Sequence, residues 1–317
     1  MKTPPRQRRS RRATTLVAII VVLAALGVAG VRLWPGSPLA ARAAARWETP
    51  PGLTGASGEP DSTPSDAPDA PASPEADPTP TLEPLPVKAT DIKIDHSGWY
   101  SWALLDTRTG ELSGPADRTE LSTTASLIKS WIGADFLRRS AEQGTEPSAS
   151  RMAQVETMIR DSDNNAAQSL YEANGGAPSI KRLISMCKLK DSKVSADGGW
   201  SRTMLSPADI TRLGACIANG TAAGPKWTKY LLDQMRAVRG TGDFGPRKAF
   251  PAADQKKIAI KNGWVDRQRE QEYHVSCMAI GDGWVIGVMT KYDISKGYTY
   301  GANICKQVGV QLRAAAS

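Results

Sequence analysis

The 317-residue sequence contains only two histidines, His96 and His274, and no cysteine before Cys187. A Ser-His-Asp triad would have to use one of those two imidazoles. His96 precedes the first predicted strand and His274 opens a later one, so both read as ordinary strand or surface residues. The four cysteines, Cys187, Cys216, Cys277 and Cys305, include no C-x-x-C pair. With so few imidazoles to join them, neither a zinc site nor any other cofactor is expected. No cysteine stands near the start to carry a lipid anchor. No groove-binding motif accompanies the scattered basic residues, which excludes nucleic acid as the expected partner. No glutamate occurs between Glu172 and Glu270, and no acid among the first twelve residues.

Those twelve residues carry Lys2, Arg6, Arg8, Arg9, Arg11 and Arg12, and Leu16–Val31 then runs sixteen residues without a charge. This length lies between a signal-peptide core and a spanning helix. The reading favoured is an uncleaved single-pass anchor with the arginines cytoplasmic and the remainder outside. Secretion after cleavage near Ala41–Ala43 is the competing one. Pro35–Pro86 holds thirteen of the twenty-two prolines among Ala, Ser, Asp and Glu, with almost no large apolar residues, and reads as an extended tether. The expected organisation is a basic tail and membrane segment over 1–34, a tether over 35–90 and one domain over 91–317. From Lys88 onward there are 31 basic and 24 acidic residues, a surface suited to anionic envelope polymers.

Within the domain, "GWYSWALLD" (Gly98–Asp106) predicts a strand, and Gly110 turns it into a second. Apolar residues at helical spacing follow at Leu127, Ile128, Trp131, Ile132, Phe136 and Leu137. "MAQVETMIR", "NAAQSLYEAN", "APSIKRLISMC" and "SPADITRLGACIAN" repeat the helical signal. "KKIAIKNGW", "HVSCMAIG" and "WVIGVMTKY" return to strands, and "YGANICKQVGVQLRAAA" closes as a helix. This order predicts an α+β fold, an antiparallel sheet built from both ends of the domain with helices on it.

Three short motifs occur in order. Ser126-x-x-Lys129 opens the first helix, Ser162-Asp163-Asn164 lies between two amphipathic stretches, and Lys261-Asn262-Gly263 ends a late strand. Each has an ordinary reading: a helix cap for Ser126 and for S-D-N, and a turn for Asn-Gly. S-x-x-K recurs at Ser185–Lys188, within a helix and without the sequel. The ordered set resembles the serine β-lactamase and penicillin-binding protein superfamily, whose motifs are S-x-x-K, S-D-N and K-T-G. The resemblance covers about Ile92–Arg313 and is closest to class A β-lactamases. It implies that fold, with a helical subdomain, and acyl-serine chemistry on a β-lactam or a peptidoglycan-like amide. Ser126 is the implied nucleophile, Lys129 its base and Ser162 the proton shuttle. Asn164, Lys261, Asn262, Gly263 and Trp264 are implied to contact substrate, with the N–H groups of Ser126 and Trp264 as the oxyanion hole.

The pattern departs from class A in three places. The segment corresponding to the Ω loop, about Lys188–Met204, has no glutamate to activate the deacylating water, and Asp197 is the candidate substitute. Asn262 replaces a Thr or Ser, and Trp264 a small residue. A D,D-peptidase-like activity is therefore the nearest competitor, and a non-enzymatic envelope module with a retained cleft the competing class. The helices bearing Cys187 and Cys216 flank the Ω region, so those two are expected to pair and clamp it, with Cys277–Cys305 following by elimination. If the anchor reading is right, protease added to intact cells digests the domain. A domain resistant until lysis would overturn that topology.

Overall fold

The computed structural model describes residues 82–317. The basic tail, the apolar run and the tether up to residue 81 lie outside the described residues. Strand β1 (Trp99–Asp106) pairs antiparallel with the two-residue β2 (Leu112–Ser113) on one side and with β7 (Trp284–Asp293) on the other. β7 in turn pairs with β6 (Glu272–Gly281), and β6 with β5 (Ala259–Arg267). The sheet order is β2-β1-β7-β6-β5, antiparallel throughout, so the first strand of the domain closes against the last. This is the expected α+β arrangement.

A 3-10 turn at Ala125–Ile128 leads into α1 (Lys129–Glu142), with Trp131, Ile132 and Leu137 fully buried. Around it lie α2 (Ala149–Arg160), α3 (Asn164–Ala173) and α4 (Ala177–Met186). Asp135, in the middle of α1, is fully buried between Arg138 and Arg182 and accepts from Ser179 Oγ at 2.6 Å. A charge at such depth persists only when paired. Helix α5 (Pro207–Ala218) packs on β1, β6 and β7, and close approach there requires glycine on both sides. A Cβ on Gly287 of β7 would lie 2.6 Å from Pro207 O, and one on Gly214 of α5 would lie 2.5 Å from Val285 Cγ1. Helix α6 (Thr228–Arg236), nine residues long with three buried, was not among the expected elements. A one-turn α7 (Ala252–Gln255) follows, and α8 (Gly297–Ala314) covers β6 and β7.

Two further differences have local causes. A small separate sheet joins β3 (Ser122–Thr123) to β4 (Met204–Leu205), too short to leave a periodic signal. Asn262-Gly263, read as ending a strand, lies mid-strand, because β5 continues to Arg267 and Gly263 is not in the left-handed region. Val87 is buried and Lys88 N donates to Leu312 O at 2.8 Å, so packing begins a few residues before Asp91. Among the described residues no helix is long and apolar enough to cross a membrane.

Cys187 pairs with Cys216 and Cys277 with Cys305, and the described residues include no free cysteine. The first joins the end of α4 to α5, the second β6 to α8. Each closes a loop of about thirty residues, worth roughly 3–4 kcal/mol in the chain-entropy description. Replacing Cys187 and Cys216 by serine should lower the free energy of denaturant unfolding by about that much. An unchanged midpoint would show that the bond constrains nothing.

Candidate active site

The turn that carries Ser126 is gripped from three sides. Thr124 N and Thr124 Oγ1 both donate to Thr203 O, at 2.9 and 3.1 Å, and Ser276 Oγ of β6 donates to Thr124 O at 2.6 Å. From the third side β5 comes so close that only glycine fits. A Cβ on Gly263 would lie 2.1 Å from Thr124 O and 2.7 Å from the backbone nitrogens of Ser126 and Leu127. Ala125, before the serine, is held at φ 45°, a left-handed conformation that costs an L-residue about 1 kcal/mol or more.

Three residues on, Lys129 is fully buried. Its Nζ donates to Ser162 O (2.5 Å), Ser162 Oγ (3.2 Å) and Asn164 Oδ1 (2.7 Å), and Ser126 is not among its partners. The Trp200 ring covers it, with Nζ 5.0 Å from the centroid. Burial lowers the Lys129 pKa to about 7, against the opposing charge of Asp163. The S-D-N residues divide between a cap and the lysine. Asp163 caps α3 by accepting from Ala166 N at 2.7 Å, while Ser162, at φ 62°, and Asn164 face the lysine.

Lys261 of β5 is also fully buried, and its Nζ has no hydrogen-bond partner among the described residues. Burial pushes its pKa well down, and Lys129 pushes the same way while Asp161 opposes. Strand alternation turns Asn262 to the other face. Its side chain donates to Gly242 O (3.0 Å) and Phe244 O (2.8 Å) and accepts from Met278 N (3.3 Å). The expected substrate contact by Asn262 is therefore corrected: the fully buried amide is spent on holding the 242–244 loop. The Trp264 ring packs edge-on against Phe244 and Tyr298, with centroids 5.8 Å from each.

These observations join S-x-x-K, S-D-N and K-x-G around one pair of buried lysines, and residues 143–315 match the beta-lactamase enzyme family. The chain belongs to the beta-lactamase enzyme family. The match includes Ser162, Asn164, Lys261 and Gly263 and begins downstream of Ser126 and Lys129. Putative lipoprotein LppW of Mycobacterium tuberculosis (strain H37Rv) is 26% identical over 218 residues, 67% of this chain and 69% of its own. Among solved structures, an ancestral class A beta-lactamase superposes with a TM-score of 0.56 at 19% identity, over 69% of this chain and 94% of that one. A class A beta-lactamase from Mycobacterium abscessus gives 0.55 at 16% identity (70% and 96%), and PBP-A gives 0.54 at 18% (68% and 89%).

In this member of the beta-lactamase family, the segment before α5 is organised by an acid the sequence analysis passed over. Asp209, fully buried in the first turn of α5, accepts from Lys190 N (3.0 Å), Asp191 N (2.8 Å), Ser192 N (2.9 Å) and Ser192 Oγ (2.6 Å) and pairs with Arg212. Burial alone would raise its pKa, but these donors bring it below the usual range. The signal was Ser-x-x-Asp at Ser206–Asp209, a capping box in which Ser206 Oγ accepts from Asp209 N at 3.0 Å. Asp197 has a side chain 60% exposed, accepts from Gly199 N and lies 3.6 Å from Arg202. Those interactions hold its carboxyl below the usual range, the wrong direction for a base poised near neutral pH. Trp200, which lies over Lys129, had no sequence signal beyond its residue type. Among the described residues no cluster of His, Cys, Asp and Glu could hold a metal ion.

Gly263→Ala should force β5 from the Ser126 turn and lower stability by about 1–3 kcal/mol, the range for overpacking. Denaturant unfolding checks this, and a midpoint equal to wild type would mean that the turn yields freely.

Proposed function

We propose that the domain is an extracytoplasmic serine acyl-enzyme acting on a β-lactam or a peptidoglycan-type amide. The observation that carries the reading is the pair of buried lysines with no direct carboxylate partner: Lys129 with its pKa near 7, and Lys261 with its Nζ unpaired. A serine hydroxyl needs a base, and a buried lysine with a lowered pKa supplies one. Ser126 Oγ attacks the carbonyl carbon as its proton passes to Lys129 Nζ. The C–N bond breaks, and the proton reaches the leaving nitrogen through Ser162 Oγ, leaving an ester on Ser126. Asn164 holds the substrate amide. Lys261, short of a counter-ion, takes the substrate's carboxylate and regains its charge as it does so. Backbone N–H groups of Ser126 and Trp264 stabilise the oxyanion.

Hydrolysis of the ester needs a second base to activate water. Asp209 is committed to the loop and Asp197 to the surface, so the ester is long-lived. That favours a D,D-peptidase-like enzyme or a slow β-lactamase over an efficient one. The domain is attached to the membrane through Leu16–Val31 and faces outward. The M. tuberculosis relative's name gives it as a lipoprotein, but Cys187, the first cysteine here, is in a disulfide, so a lipid on cysteine is not the proposed attachment.

A fluorescent penicillin should label wild type and not Ser126→Ala. The rate should rise with pH through about 7 as Lys129 loses its proton, and fall by about 10²–10⁴ in Lys129→Ala. Intact mass spectrometry should show the adduct persisting. A folded wild type that never acquires it would overturn the reading, and rapid return to the unmodified mass would overturn the slow deacylation.

A further inference from the structure

His274 takes no part in the chemistry above, yet it stands at the centre of a polar chain that ends beside it. In β6 it is 7% exposed, opposite Val265 of β5 and Lys291 of β7. Its Nδ1 lies 2.8 Å from Thr123 Oγ1 and 3.2 Å from Ser122 Oγ, and its Nε2 lies 2.9 Å from Glu272 Oε2. Thr123 Oγ1 also accepts from Arg267 Nη2 at 3.1 Å, and that same nitrogen donates to Ser201 O at 2.9 Å.

These partners fix where the protons are. An ionised carboxylate only accepts, so Nε2 carries the hydrogen that meets Glu272, and in the neutral ring Nδ1 is an acceptor. The Thr123 hydroxyl, accepting from Arg267, gives its own hydrogen to Nδ1. The chain therefore runs one way, from Arg267 through Thr123 and His274 to Glu272, and it connects two places that matter to the site. Thr123 lies three residues before Ser126, and Ser201 follows Trp200, the ring over Lys129.

We propose that His274 in its neutral, Nε2-protonated form is a positioning residue for Ser126, holding the 122–124 lead-in and the Trp200 turn against the sheet until protonation releases them. The inference rests on reading Ser126 as the reactive serine, although the network itself does not. A protonated ring would turn Nδ1 into a donor, so the Thr123 hydroxyl would have to turn its own hydrogen away and accept from two cations at once, Arg267 and His274. Of the charged groups facing it, Glu272 on its own strand favours the cation, while Arg267 from β5 and Lys291 from β7 oppose it. Burial is the largest influence, and the pKa is lowered from its ordinary value. An unfolded histidine titrates near about 6.5, so below that pH the unfolded chain binds the proton more readily. Stability falls as pH drops from there to the folded-state value, and then levels.

The 317-residue chain has two histidines, so ¹⁵N imidazole spectra are simple and His96→Gln assigns them. His274 should appear as the Nε2–H tautomer and titrate below the ordinary histidine value. Protection of amides 122–127, taken against the intrinsic exchange rate at each pH, should fall over that same pH span. Labelling by fluorescent penicillin should fall there by about tenfold per pH unit beyond the loss due to Lys129, the dependence expected for one extra proton. His274→Asn, whose side-chain carbonyl accepts but does not protonate, should remove that additional fall. An Nδ1–H tautomer, titration at the ordinary value with unchanged exchange, or an additional fall that persists in His274→Asn would each overturn the proposal. If His274→Asn does not fold, the wild-type tautomer and exchange still decide. If exchange follows His274 but the serine labels at no pH, the acyl-enzyme reading fails and the positioning inference stands.

Discussion

The site depends on burying an amine without giving it a carboxylate. Lys129 is closed in by its place at the start of α1, by the 162–164 turn and by the Trp200 ring, and its nearest acceptors are neutral oxygens. A carboxylate within hydrogen-bond reach would restore the ammonium and remove the basis of the role proposed for it. On β5, the pKa of Lys261 is depressed first by its own burial and then by the neighbouring Lys129, since a second cation nearby disfavours the charged form. The surrounding architecture keeps this unfavourable arrangement in place, and most of the fold's unusual local features adjoin it.

The close contacts at the serine show how. The Ser126 turn is held by contacts from segments distant in sequence: Thr203 O, Ser276 Oγ and the bare Cα of Gly263. Their tightness lets one left-handed alanine persist at the entry. The Cys187–Cys216 bond and the buried Asp209 fasten the next layer, the segment that carries Trp200. An acid within this region is spent on architecture, which connects the missing glutamate to the slow ester hydrolysis proposed above. His274 and Arg267 tie that layer to the sheet.

Much of this was legible in the chain. Strands and helices long enough to show a period were placed close to their observed bounds, and the S-x-x-K, S-D-N, K-x-G order led to the right fold because its spacing is tied to that topology. The disulfides followed from which elements flank one another. Two-residue strands β3 and β4 and the short α6 went unread because each is stabilised by partners far away in sequence. Asn262-Gly263 misled for the same reason: Asn-Gly signals a turn when its own backbone decides, but here the carbonyls of Gly242 and Phe244 hold the amide and keep the strand extended.

The sequence by itself determined the longer elements and the motif order that marks the fold, because these follow from local periodicity and from residue types in a fixed order. Tertiary structure alone decided what those residues face. It made Lys129 half-neutral and Lys261 unpaired, turned Asn262 away and gave Asp209 to the loop. It also placed Trp200 over Lys129 and linked His274 to the strand before Ser126. Each is a matter of burial and of neighbours brought from distant parts of the chain, and desolvation and hydrogen-bond supply are set by that enclosure.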